Sequence, residues 1–180
     1  MTDSAATKVG FRLARVAVCF SIVTFSFSLT SIFAQDDESA PPPRSYVTKE
    51  ERAKFDGEPE FKTRTKLVVE TMKQRLDEAE KLFAADDFDG VFREFGHFRG
   101  LLDYALGFLA RQDANQNKTL DNYKRLEITL RASAPRIESL KRELPSRYEE
   151  YIRDLLIYIR DARTKASESM FSDTVIPTTK

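Results

Sequence analysis

Apolar residues that recur alternately three and four positions apart most constrain this chain, because that spacing places them on one face of an α-helix. The pattern is kept for six successive steps in one segment, at Phe88, Val91, Phe95, Phe98, Leu102, Ala105 and Leu109. The apolar stripe is widened there by Phe92, Leu101, Leu106 and Phe108. We therefore predict that this segment is the most buried helix of the fold.

Further segments show the same spacing, and capping and breaking residues set their limits. Two helix starts are marked by capping-box patterns, Thr48 with Glu51 and Ser146 with Glu149. The predicted helices cover residues 48–55, 59–85, 88–112, 118–144 and 146–171. Because the last four are each about 25 residues long and follow one another closely, residues 48–171 are predicted to form an all-α domain. Its expected architecture is an antiparallel four-helix bundle of the up-down type, preceded by one short helix.

Pro135 lies inside the fourth predicted helix. Proline costs about 3 kcal/mol in a helix interior, because it lacks the N–H donor and its ring meets the preceding turn. The apolar spacing nevertheless continues from Leu130 through Ala134 to Ile137. We therefore predict one bent helix and not two.

Charged residues agree with the helical interpretation. An acid stands four residues before a base in five places, Asp77 with Lys81, Asp121 with Arg125, Glu127 with Arg131, Glu138 with Arg142 and Glu149 with Arg153. Each pair in this order stabilises a helix by about 0.2 to 0.5 kcal/mol. We expect these residues to lie on solvated helical faces.

Residues 1–34 have the layout of an export signal. Three basic residues precede an apolar run over residues 16–34, namely Lys8, Arg12 and Arg15. Serine and threonine dilute the run and the small residue Ala34 ends it, so we predict cleavage after Ala34. The alternative is that residues 16–34 stay as a membrane anchor, since 19 residues nearly span a bilayer core. Either form places the rest of the chain outside the cytoplasmic membrane, because the positive flank stays on the cytoplasmic side.

Cleavage after Ala34 would leave 146 residues with a nearly balanced charge. Lysine plus arginine would fall from 29 to 26 and aspartate plus glutamate from 29 to 28, for a net charge of −2. That balance gives no electrostatic basis for nucleic-acid binding. Cys19 is the chain's one cysteine, so the mature chain would have no disulfide, thiolate or cysteine metal site.

Composition predicts two segments without fixed structure. Residues 35–47 contain Pro41, Pro42 and Pro43 among polar and acidic residues and are predicted to be a disordered spacer. Residues 172–180 have little to bury and are predicted to be a flexible tail.

Glu94 and His97 are the only metal-ligand candidates, and they are weak ones. An acid and an imidazole three residues apart on a helix can converge on one metal, and di-iron bundles use two such pairs. A second pair cannot exist in one copy, because His97 is the single histidine. Phe95 and Phe98 are assigned to the core, which turns His97 outward. We therefore expect an exposed histidine, with no metal and no cofactor.

Catalytic signatures are absent from the sequence. It contains no Gly-x-Ser-x-Gly elbow, no glycine-rich phosphate loop and no Cys-x-x-Cys-His haem motif. No catalytic residue is assigned, and a non-enzymatic protein is expected.

A glycine-containing face of the third predicted helix is the best candidate for an interaction surface. Gly96, Gly100 and Gly107 lie opposite the main apolar stripe, with Tyr104 beside them. Each glycine costs about 0.5 to 1 kcal/mol relative to alanine in a helix, which indicates that another backbone comes close. Packing within the fold and contact with a partner chain both explain this face.

In layout the chain resembles small exported helical-bundle proteins of bacteria, which implies a periplasmic or cell-envelope setting and no particular chemistry. We expect a non-enzymatic interaction or structural module that binds a protein partner or a second copy. The alternative is a small-ligand or metal carrier that uses the bundle interior. Membrane contact is expected only through residues 16–34, if they are not cleaved.

Overall fold

The computed structural model of this chain describes residues 39–112 and 117–171, and the regular structure in these ranges is all helical. Its elements in chain order are α1 (Lys49–Asp56), α2 (Phe61–Ala84), α3 (Phe88–Leu109), α4 (Asn117–Glu143), a 3₁₀ turn (Ser146–Tyr148) and α5 (Glu149–Phe171). The all-α prediction is confirmed for this part of the chain.

Several predictions fall on residues outside the described ranges. They are the signal segment with its cleavage site after Ala34, the start of the spacer at residues 35–38, and the tail at residues 172–180. Within the described ranges, none of the helices combines the length and the unbroken apolar character that a bilayer crossing requires.

Local side-chain contacts explain where α1 and α3 begin. At α1, the Thr48 hydroxyl accepts from the Glu51 amide at 3.1 Å, and the Glu51 carboxylate accepts from the Thr48 amide at 3.0 Å, as the capping-box pattern predicts. At α3, the Asp87 carboxylate accepts from the Gly90 amide at 2.8 Å. Asp86 adopts a left-handed conformation with φ of 58°, which lets the chain turn sharply between α2 and α3.

Helix α3 buries the apolar stripe that its spacing predicts. Six of the stripe residues are at most 1% exposed, namely Val91, Phe95, Phe98, Leu102, Ala105 and Leu109. The neighbouring helices contribute residues of equally low exposure, Val68, Met72, Leu76, Leu126, Leu130, Ile137, Ile152, Leu155 and Ile159. Each large aliphatic or aromatic side chain buried in this way stabilises the fold by about 1.5 to 3 kcal/mol.

The helices pack as two antiparallel pairs, α2 with α3 and α4 with α5, and α2 also packs against α4. Arg136 of α4 binds Asp77 and Glu80 of α2, at 2.7 Å each. Residues 63–73 of α2 lie beside residues 121–129 of α4, so these two helices run in the same direction. An up-down bundle places its first and third helices on a diagonal. The side-by-side contact of α2 and α4 is therefore a feature that the apolar spacing did not predict.

Helix α4 continues through Pro135 without a break, in agreement with the prediction of one helix. The proline leaves the carbonyl of Arg131 without its usual helical donor. Leu130 and Ile137, on either side of the proline in sequence, are fully buried. Their packing offsets the cost of the missing hydrogen bond.

Candidate functional site

Residues 39–48, which we call the strap, are fastened along α3. The amide of Ala40 donates to the carbonyl of Arg147 at 2.8 Å, which ties the start of the strap to the turn before α5. Further along, the Ser45 hydroxyl donates to the Asp103 carboxylate of α3 at 3.1 Å. The prediction of a disordered spacer is therefore corrected for residues 39–47, because specific contacts hold this segment against the helices.

Gly96 and Gly100 make room for the strap. A Cβ atom at Gly96 would lie 2.6 Å from the carbonyl oxygen of Arg44, and one at Gly100 would lie 2.6 Å from the backbone of Tyr46. Both distances are shorter than a Cβ atom tolerates, so only glycine allows this approach. Gly107 differs, because a Cβ atom there would make only an ordinary van der Waals contact, 3.9 Å from a guanidinium nitrogen of Arg111.

The predicted interaction face is thus divided in two. Its first half, at Gly96 and Gly100, is covered by the chain's own strap, which supports packing within the fold for these two residues. Its second half, at Gly107, stays exposed.

A cluster of ionisable side chains joins three helices near the strap. Arg75 of α2 binds Glu51 of α1 at 2.6 Å and Glu94 of α3 at 3.3 Å. The side chains of Glu51 and Glu94 are only 14% and 13% exposed, so these contacts are well shielded from solvent. Burial by itself would raise the pKa of Glu51, but hydrogen bonds from Arg75 and Thr48 outweigh it and lower that pKa.

His97 is buried beside this cluster, with 7% of its surface exposed. The ring of Tyr46, from the strap, meets the imidazole edge-to-face with 4.1 Å between the ring centroids. The prediction of an exposed histidine is therefore wrong. His97 does point away from the helical core, as Phe95 and Phe98 require, but the strap covers that side of α3.

The surroundings of His97 favour the neutral form of its imidazole. Burial lowers its pKa, although the nearby charge of Glu94 acts in the opposite direction. Its Nδ1 atom is enclosed and has no hydrogen-bond partner among the residues that the structure describes. A proton added to this ring would therefore bring a charge into a poorly solvated place.

Of the two metal-ligand candidates, Glu94 belongs to this cluster and His97 lies beside it. The Glu94 carboxylate is bound to Arg75, which competes with any metal. No group of three or more histidine, cysteine, aspartate or glutamate side chains in the described ranges has the arrangement to hold a metal ion.

Tyr104 links α3 to α1. Its hydroxyl donates to the Asp56 carboxylate at 2.6 Å, and the guanidinium of Arg52 lies 5.6 Å from the ring centroid. Burial and the bond to Asp56 raise the pKa of Tyr104 to about 12. Its ring also packs 5.4 Å from that of Phe55, which is fully buried. Tyr104 thus holds α1 in place, and most of its surface is in contact with other residues of the fold.

A polar surface pocket of about 430 Å³ lies where the strap, α1 and α3 meet. Its walls include Arg52, Asp103 and Arg111, and exposed Gly107 contributes to its lining. This pocket joins Gly107 and Tyr104 of the predicted face to the edge of the strap.

No protein-family model, curated protein or solved structure matches this chain. What the strap and its cluster do follows from their own residues and contacts.

The two kinds of glycine give a direct test of strap packing. We expect Gly100→Ala to lower the free energy of unfolding in urea, because the new methyl group collides with the strap backbone. Gly107→Ala is the matched control on the same helix, and it should raise that free energy by about 0.5 to 1 kcal/mol through helix propensity alone. Equal stabilisation by both changes would contradict the packing of the strap on Gly100.

Burial of His97 predicts a pH dependence. Because its pKa is lower in the folded protein than the ordinary 6.5, the folded state binds fewer protons than the unfolded state below that pH. The contribution of neutral His97 to the free energy of unfolding is complete above about pH 6.5 and is lost as the pH falls towards the lowered pKa of His97. The variant His97→Phe should therefore lose less stability than the wild type between pH 7 and pH 5, as measured by urea unfolding. Identical pH profiles would show that His97 is not buried in its neutral form.

Proposed function

We propose that this protein is an exported, non-enzymatic interaction or structural module that works outside the cytoplasmic membrane. The proposal includes a four-helix arrangement of α2 to α5 as its rigid body. The observation that carries the non-enzymatic part is the use of the ionisable side chains near the strap. Arg75, Glu51 and Glu94 bind one another across three helices, which favours a structural role for them.

Export is supported by the sequence of residues 1–34, and the position of the strap is compatible with cleavage after Ala34. Four residues, 35–38, separate the proposed cleavage site from the first residue of the strap. Cleavage after Ala34 would therefore remove the apolar run and keep the complete strap. If the apolar run were retained as an anchor, only residues 35–38 would link it to the strap, instead of the 13-residue spacer 35–47 that composition predicted.

The interaction role is supported by the divided glycine face. The strap occupies Gly96 and Gly100, so a partner would contact the exposed remainder around Gly107 and Arg111. A carrier that uses the bundle interior is less well supported. Large side chains such as Phe95, Phe98 and Leu102 fill the interior positions of α3 and are at most 1% exposed.

A reporter fusion tests export. We expect alkaline phosphatase joined to the C-terminus of the full chain to be active, because this enzyme folds correctly only outside the bacterial cytoplasm. Ile22→Arg places a charge in the apolar run at a cost of about 2.5 to 3.5 kcal/mol for membrane insertion, so it should abolish most of that activity. Ser4→Arg, before the run, is the control and should leave activity unchanged. Activity that survives Ile22→Arg would contradict export through this segment.

The exported protein then tests the interaction role. Mass spectrometry would give the mature start, for which we expect Gln35, and formaldehyde crosslinking in intact cells should recover a second copy or a partner protein. A protein that remains monomeric and uncrosslinked in the envelope fraction would contradict the interaction role while leaving export intact.

A further inference from the structure

A surface groove separates α2 and α4 at one end of their contact. At the other end, Arg136 binds Asp77 and Glu80 and holds the two helices together. The groove has a volume of about 760 Å³ and is lined by residues 63–73 of α2 and 121–129 of α4. Small-molecule sites commonly occupy about 300 to 1,000 Å³, so the groove has the size of such a site.

The groove has an apolar portion. Leu67 and Val69 of α2 and Ile128 of α4 contribute to its lining. Ile128 is 45% exposed, although it is a large aliphatic residue. A single exposed isoleucine is ordinary on a protein surface, but this one lies in a concave site next to other apolar side chains. An alkyl chain placed here would remove Ile128 from water.

Basic side chains outnumber acidic ones in the same groove. Four basic residues line it, Lys66, Lys73, Lys124 and Arg125, against two acidic residues, Glu70 and Asp121. Glu70 is already engaged by Lys73 at 3.7 Å. The remaining positive charge is complementary to an anionic ligand.

Arg125 has an unused hydrogen-bond donor at this site. Its Nε atom is enclosed and has no partner among the described residues. A buried donor without an acceptor is unfavourable, and a guanidinium pairs well with the two oxygens of a carboxylate. Arg125 is half-buried and lines the groove, so a rotation of its side chain would present this unpaired donor to an anionic head group.

We propose that the α2–α4 groove binds a single-chain anionic amphiphile, a molecule with one alkyl chain and one carboxylate head group. The alkyl chain lies over Ile128 and Leu67, and the carboxylate pairs with Arg125. An amphipathic helix of a partner fits less well, because such a helix needs apolar anchors over two or more turns and the groove offers few exposed apolar residues. The proposal does not depend on the compartment of the protein.

Isothermal titration of the full-length protein with sodium laurate, below its micelle concentration, tests this proposal. We expect saturable binding of one laurate per chain. Arg125→Gln and Ile128→Gln should each weaken binding at least tenfold, because they remove the partners of the head group and of the alkyl chain. Ile157→Gln is the matched control, since Ile157 is 42% exposed on α5 and outside the groove, and it should leave the affinity within twofold of wild type.

Two further measurements keep the result unambiguous. Undecyl maltoside has the same alkyl length as laurate without a charge and should bind at least tenfold more weakly than laurate. If Arg125→Gln fails to unfold cooperatively in urea, Lys124→Gln replaces it, because Lys124 is an exposed residue of the same groove and its loss should also weaken laurate binding.

Three outcomes would overturn the proposal. The first is no saturable laurate binding to the wild type, and the second is equal loss of affinity in the Ile128 and Ile157 variants. The third is a dimer that only Ile128→Gln dissociates in sedimentation, which would show that a second copy occupies the groove.

Discussion

The close approach of the strap backbone to α3 at Gly96 and Gly100 determines the arrangement of the candidate site. It brings Tyr46 onto His97, so a histidine on the outer side of α3 becomes buried. The strap then leads directly into the cap of α1, whose Glu51 binds Arg75. A methyl group at either glycine would meet the strap backbone at 2.6 Å and would disturb these contacts together.

Local features of the fold could be predicted from the sequence, and the choice of neighbouring helices could not. The apolar spacing predicted the helices and the buried stripe of α3. The capping-box pattern of Thr48 and Glu51 predicted the start of α1. Spacing shows which face of a helix is buried, but it does not show which helix covers that face. For this reason the side-by-side contact of α2 and α4 was not predicted. Asp77, expected to pair with Lys81 within its own helix, instead binds Arg136 of α4 at 2.7 Å.

The candidate site was predictable only in part. The cost of glycine in a helix indicated that another backbone approaches Gly96 and Gly100, and the structure shows the strap there. The proline content of the strap predicted disorder, because composition does not show that a surface of α3 is shaped to receive the strap. The prediction of an exposed His97 was wrong for the same reason, because the strap covers that side of α3. The cluster of Glu51, Arg75 and Glu94 left no signal in the sequence, because its members come from three helices and lie far apart along the chain.

We conclude that the strap, which follows the proposed export signal, is held against the helices as part of the folded domain. Hydrogen–deuterium exchange of the full-length protein tests this claim most directly. The amide of Ala40 donates to the carbonyl of Arg147 at 2.8 Å, so its exchange rate reports whether the start of the strap is fastened. The next three residues, Pro41, Pro42 and Pro43, have no amide proton to follow. We expect the Ala40 amide to exchange at least a hundredfold more slowly than in an unfolded chain, which corresponds to an opening free energy of about 2.7 kcal/mol. Exchange of the Ala40 amide at the unfolded rate would contradict the claim.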